Sequence, residues 1–257
     1  MLVLLPPSEG KRAPGVGAPI DLATLTLPAL TQRREKALRA LVRMAGGSRR
    51  RAVENLGLSA GQASEVDRDA ALLTAPAAPA GEVYTGVLFQ HLDLPTLTPA
   101  ALARAREQVL VASALWGVVA LDDRIPAYRL SIGARIPALT RSGLAAWWKP
   151  ALAAALPDEE GQLVVDMRSG GYAAAWRPKH ATLVEVKAST AEGKPISHMA
   201  KAVRGTVARG LLKERRAAAS PEDVAAVAQR GEGVERVELH APERVGAAWV
   251  VNVVAAA

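Results

Sequence analysis

Apolar positions along this chain alternate between two spacings. Leu2–Leu5 is an unbroken apolar run stopped by Pro6 and Pro7, the pattern of a short strand buried on both faces. Gln108–Ala114, Leu163–Asp166 and Thr182–Lys187 read as further strands, and Arg236–His240 with Ala248–Val254 as a closing antiparallel pair. Helical spacing occupies residues 28–73, Pro99–Arg106, Leu144–Leu156 and the stretch after Met199. Ser220-Pro221-Glu222-Asp223 opens another helix, with an N-cap, a proline at the first helical position and early acids. Glu82–Leu88 is expected to turn into a short helix. Residues 13–27 form an irregular excursion, and Ala75–Ala80 a stiff connection. The pattern predicts an α+β fold: one compact domain over 1–257 with a mixed sheet, a basic helix and a helical insertion at 28–80. It leaves the strand order open.

The most informative stretch is 194–216, with seven basic residues and one acid, Glu214. Ser197 is its expected N-cap. On a helical wheel Lys201, Arg204, Gly205, Ala208 and Arg209 cluster on one side, and Met199, Val203, Thr206 and Val207 fall mostly opposite. A glycine inside a helix costs about 1 kcal/mol against alanine. Gly205 amid the charges therefore reads in two ways: an opening for close approach of a phosphate, or tight packing against a neighbour.

Composition sharpens the choice of partner. The chain has 257 residues, a net charge of +7 and half its residues apolar. A polyanionic partner is favoured. There is no cysteine, so thiolate chemistry, disulfides and cysteine metal sites are excluded. His91, His180, His198 and His240 are dispersed without ligand-like pairing, so no metal site and no cofactor is expected. No apolar run reaches membrane-spanning length and no signal peptide is apparent, so the expected location is cytoplasmic, away from the membrane.

Four places carry candidate chemistry. The loop Ser8–Lys11 after the first strand suits phosphate binding through Lys11, although it lacks the glycine and hydroxyl of a Walker A loop. Asp166, ending a strand near Ser169-Gly170-Gly171-Tyr172, is either a site carboxylate or a turn cap. Tyr128-Arg129 either stacks a base and holds a phosphate, or buries the tyrosine and pairs the arginine with Asp122 or Asp123. Leu56-Gly57-Leu58-Ser59 reads as a glycine turn between two helices, of the kind that offers amides to a DNA backbone.

In order along the chain, these segments resemble one family. Met-Leu-Val-Leu-Leu with Pro7 and Lys11, Val-Tyr-Thr-Gly-Val at 83–87, Ala-Leu-Trp-Gly-Val-Val at 114–119, Pro126 through Gly133, and Ala-Lys-Ala-Val-Arg-Gly-Thr-Val-Ala-Arg at 200–209 are similar to motifs of the YaaA peroxide stress proteins. The resemblance implies an α+β fold with a helix-hairpin-helix element, a basic cleft that binds duplex and distorted DNA (bubble or gapped), and a role in limiting iron-dependent damage. It implies DNA contacts at Lys11, Tyr84, Thr85, Arg129, Lys201, Arg204 and Arg209, to which the close-approach reading of the basic helix adds Gly205. Two departures stand out. The family's Ser-Pro-Ala-Lys start is here Pro6-Pro7-Ser8-Glu9-Gly10-Lys11, and its Ser-x-Glu-Tyr is Ser169-Gly170-Gly171-Tyr172, without the carboxylate.

Two functional classes therefore compete. One is a DNA-binding protein of the oxidative stress response. The other is an enzyme acting on a DNA lesion or a small anionic substrate, with Lys11, Asp166, Tyr172 and Lys201 as candidate catalytic groups.

Overall fold

The computed structural model describes residues 1–190 and 199–255. The expected N-cap Ser197 lies outside the described residues. In chain order the elements are β1 (Leu2–Leu5), α1 (Thr31–Ala45), α2 (Arg49–Leu56), α3 (Glu65–Ala70), β2 (Ala78–Pro79), α4 (Ala80–Val83), α5 (Val87–Leu92), α6 (Pro99–Gln108), β3 (Val109–Ser113), β4 (Gly117–Ala120), β5 (Arg124–Ile125), α7 (Leu144–Ala155), β6 (Leu163–Asp166), α8 (Gly170–Ala173), β7 (Thr182–Ser189), α9 (Met199–Lys213), α10 (Pro221–Gln229), β8 (Val234–His240) and β9 (Trp249–Ala255). Short 3-10 turns punctuate the connections.

A seven-stranded mixed sheet in the order β4-β3-β1-β6-β7-β9-β8 organises the molecule. Its centre is parallel: β1 pairs with β3 and β6, β6 with β7, and β7 with β9. The edges are antiparallel, β4 on β3 and β8 on β9. Strands β1 and β6 are buried throughout, as parallel strands covered on both faces must be. From β1 the chain first builds outward through β3 and β4, then returns to β6 on the other side. The reversal opens a crevice beyond the carboxyl ends of β1 and β6, the usual ligand position in such sheets.

The expected strands are present with shifts of a residue or two at their ends, and the last two pair antiparallel. Ser220 caps α10 through a reciprocal box with Asp223. Helix α7 runs through Pro150.

The insertion departs from expectation in two respects. The basic run of α1 is not one solvated stripe, because Arg34 is fully buried. Its Nε donates to Trp116 O at 3.1 Å and a terminal nitrogen to Val118 O at 2.8 Å, so a guanidinium holds the turn between β3 and β4. Burial pushes Arg34 down to about 10, and Asp123 opposes the shift. The helix-hairpin-helix expectation is also not established. Left-handed Gly57 ends α2, but a capped 3-10 turn at Ala60–Gln62 and only the six-residue α3 follow.

Helix α9 corrects the reading of Gly205. Ala200, Val203, Gly205, Val207, Ala208, Leu211 and Leu212 are all buried, so the helix is covered on more than one side. It packs on α5, α6, α10 and β7. A Cβ on Gly205 would overlap Leu88 O and stand 2.7 Å from His91 Cβ. The glycine lets two helices approach; it is not an opening for a ligand. Overpacking of this kind costs about 1–3 kcal/mol. Gly205→Ala should therefore lower the thermal midpoint by several degrees in a calorimetric or circular dichroism melt. An unchanged midpoint would show that α5 and α9 do not meet there.

Candidate anion-binding cleft

The loop after β1 is laced to the segment between α4 and α5. Lys11 and Tyr84 form an antiparallel bridge, Arg12 N donates to Val83 O at 2.9 Å, and Thr85 N donates to Ser8 Oγ at 3.0 Å. Gly86 makes the turn with φ of +106°, where a side chain would be strained. Below this loop lies a chain of hydroxyls: Tyr84 Oη meets Tyr128 Oη at 2.9 Å, and Tyr128 Oη meets Ser113 Oγ at 2.7 Å. Ser113 Oγ also accepts from Trp116 N at 2.9 Å. Burial raises both phenols far above their ordinary range, so they remain neutral.

Above the aromatic floor opens a cleft of about 560 Å³. The loop Pro6–Lys11 forms one wall, Thr85–Phe89 another, and Arg129–Ile132, Ser169, Tyr172, Lys201 and Arg204 complete it. The structure thus brings together six of the expected residues: Lys11, Thr85, Arg129, Tyr172, Lys201 and Arg204.

The other four lie elsewhere. Tyr84 is buried beneath the cleft. Gly205 packs against α5. Arg209 donates to Leu92 O at 3.0 Å, Asp93 O at 2.7 Å and Thr96 Oγ1 at 2.7 Å, which ties down the carboxyl end of α5. Asp166 is a structural carboxylate, as its alternative reading allowed. Arg168 N donates to its Oδ1 at 2.9 Å, and the Arg168 guanidinium grips both oxygens at 2.8 Å. The same guanidinium donates to Trp176 O at 2.7 Å, fixing the segment that carries Tyr172. Arg129 pairs with neither Asp122 nor Asp123. It donates to Glu9 O and Glu9 Oε2, both at 3.2 Å.

Lys11 is the unusual group. Its Nζ donates to Ser8 O at 2.9 Å and lies 4.2 Å from the Tyr128 ring centre and 5.5 Å from that of Tyr84. No carboxylate forms an ion pair with it among the described residues. Ring faces favour a cation by about 0.5–2 kcal/mol, yet burial dominates, with the Arg129 charge adding to it, and Lys11 is pushed down to about 7.

The carboxylate acting most strongly on Lys11 was missed in the sequence. Asp69 of α3 is fully buried; its Oδ1 accepts from Arg129 N at 2.8 Å, and among the described residues its Oδ2 has no hydrogen-bond partner. Burial pushes it up to about 7. One signal was available: Asp69 follows buried Val66 by three residues, on the inward face of its helix. Nothing marked Ser113.

A family model for the peroxide stress protein YaaA matches residues 1–233. This chain belongs to the YaaA family. A UPF0246 protein of Streptomyces coelicolor is 46% identical, with 98% of each chain covered. A UPF0246 protein of Corynebacterium glutamicum is 39% identical over 89% of this chain and 92% of its own. An uncharacterised Campylobacter jejuni protein is 30% identical over 80% and 82%. The departures from the family's motifs have local causes. Glu9 in the longer first loop supplies the partner of Arg129. Where the family pattern carries a glutamate, a Cβ on Gly171 would stand 2.8 Å from Ile132 Cγ2, so Ile132 occupies that space.

The low value of Lys11 has a consequence for stability. The unfolded chain keeps Lys11 near its ordinary 10.5 and binds more protons than the fold between about 7 and 10.5. The penalty of burying the amine is full below that window and is relieved as pH rises through it. Asp69 acts in the opposite sense: raised from 3.8 to about 7, it lowers stability as pH rises through that range. Lys11→Met should accordingly be more stable than wild type near about pH 6, with the advantage shrinking toward about pH 9, in urea unfolding curves. A difference independent of pH would show that Lys11 titrates as an exposed lysine does.

Proposed function

We propose that this protein serves the peroxide stress response by binding DNA, duplex and distorted, through the cleft at the β1–β6 crevice, and that this binding limits iron-dependent oxidative damage. The observation that carries the reading is the convergence of Lys11, Arg129, Lys201 and Arg204 on one open cleft with Glu9 as its acid. Lys201 is exposed, and Arg204 is anchored by donation from Nε to Val186 O at 3.3 Å, so both cations stand ready for an anion. Such contacts give affinity without sequence preference.

The buried aromatics limit how bases could be held. Trp116 and Tyr128 are in the core and the buried Phe89 ring is stacked on Tyr84, so base stacking, worth about 1–3 kcal/mol per base, falls to Tyr172 at the cleft wall. Preference for bubble or gapped DNA over intact duplex then depends on one ring.

Two measurements test the reading. With about six phosphates contacted, affinity for a plain duplex should fall roughly a thousandfold between about 50 and 200 mM salt, and Lys201→Ala should make that dependence shallower by about one counterion. Absence of binding at low salt, or a flat salt response, overturns it. Tyr172→Phe should keep the preference for bubble DNA and Tyr172→Ala should abolish it. Equal bubble and duplex affinity in wild type would remove stacking and leave phosphate contacts alone.

A further inference from the structure

Lys11 differs in its surroundings from the other cations that line the cleft. A cation meant to hold phosphate is best left exposed to solvent, as Lys201 is. Among the described residues Lys11 instead sits in the cleft over two aromatic faces, held by the Ser8 carbonyl, without an ion-pair partner. Close by, Asp69 keeps one buried oxygen without any partner, although a buried unsatisfied oxygen costs about 1–3 kcal/mol. Lys11 lines the cleft and Asp69 lies beneath it on the Arg129 backbone, on segments far apart in sequence, and burial moves both toward neutrality.

We propose that Lys11 is an amine nucleophile that forms an imine with the carbonyl carbon of a phosphate-bearing aldehyde or ketone seated in the cleft. The proposal rests on the cleft's role in binding anions and names the chemistry of its ligand. Neutral Nζ adds to the carbonyl carbon, forming the C–N bond while the carbonyl oxygen takes up the electron pair. The nitrogen loses a proton to Asp69, whose field on Lys11 exceeds that of any other carboxylate. Asp69 passes that proton to the adduct oxygen to give a carbinolamine; the nitrogen then yields its second proton to the Asp69 carboxylate, which returns it to the hydroxyl as the C–O bond breaks and water leaves. One amine and one carbonyl become one imine and one water, with no oxidant or reductant consumed. Arg129, Lys201 and Arg204 receive the phosphate. At pH 7 a lysine titrating near 7 is about half neutral, whereas one near 10.5 is neutral in about one molecule in three thousand.

Two probes carry this carbonyl from different sources: a duplex bearing one abasic-site aldehyde, and glyceraldehyde 3-phosphate. Each is incubated with the full chain and sodium cyanoborohydride, and the reduced adduct is mapped by peptide mass spectrometry. The expected result is labelling of Lys11 at least about tenfold faster than Lys201, with a pH midpoint near 7, and loss of that label in Lys11→Arg. Labelling by the duplex alone assigns the carbonyl to damaged DNA; labelling by the small aldehyde alone assigns it to a free metabolite. Lys11 reacting no faster than Lys201 with either probe, or only above about pH 9, overturns the proposal, and this wild-type comparison needs no variant to fold. Asp69→Asn should lower the plateau rate and move the midpoint to lower pH, since the carboxylate's charge raises Lys11. Unchanged rate and midpoint would remove Asp69 from the step. Failure here is distinct from failure of DNA binding: a salt-sensitive duplex complex without adduct refutes only the imine, and adduct without duplex binding refutes only the DNA reading.

Discussion

The buried line of hydroxyls from Tyr84 through Tyr128 to Ser113 is the constraint on which the candidate site depends. Each phenol is enclosed by apolar side chains and finds its polar partner in the next hydroxyl. The line ends on backbone amides at the β3–β4 turn, the same turn whose carbonyls Arg34 holds from α1. Four separate segments are thereby fixed against one another. The Tyr84 and Tyr128 rings they fix are the surface on which the Lys11 amine rests.

That arrangement also explains why the excess of positive charge overstates the free basic surface. Arg34 is spent inside the core, Arg168 on Asp166, Arg209 on the end of α5, and Arg129 partly on Glu9. Each guanidinium satisfies carbonyls or a carboxylate with its planar set of donors, a task lysine performs poorly. What remains at the cleft is a small number of cations around an opening, not an extended basic stripe.

The helical insertion has its place in the same logic. Its sequence looked like a DNA-binding hairpin, but its contribution to the cleft comes from the far end, where α3 presents Asp69 beneath Arg129. One carboxylate oxygen orients the Arg129 backbone and the other is left over. A helix that merely covered the sheet would gain by carrying an apolar residue there, because burying a carboxyl costs stability unless its oxygens are bonded.

Much of the architecture was legible from local pattern. Continuous apolar runs marked the parallel strands, and the Ser220 box marked α10, because strand burial and helix capping depend on neighbours within a few residues. The ordered motifs pointed to the family, and the loop after β1, Tyr172, Lys201 and Arg204, named as candidates from the sequence, line one cleft. Gly205 was not separable in this way: a wheel shows that a small residue lies among charges but not whether another helix or a ligand fills the space. Asp166 and Arg209 were likewise charged positions whose partners lie on other segments. The electrostatic influence of Asp69 on Lys11, the strand reversal at β1 and the burial of Tyr84 and Tyr128 were decided by tertiary structure alone. Charge state, exposure and reach depend on distances between segments remote in sequence, and only folding sets those distances.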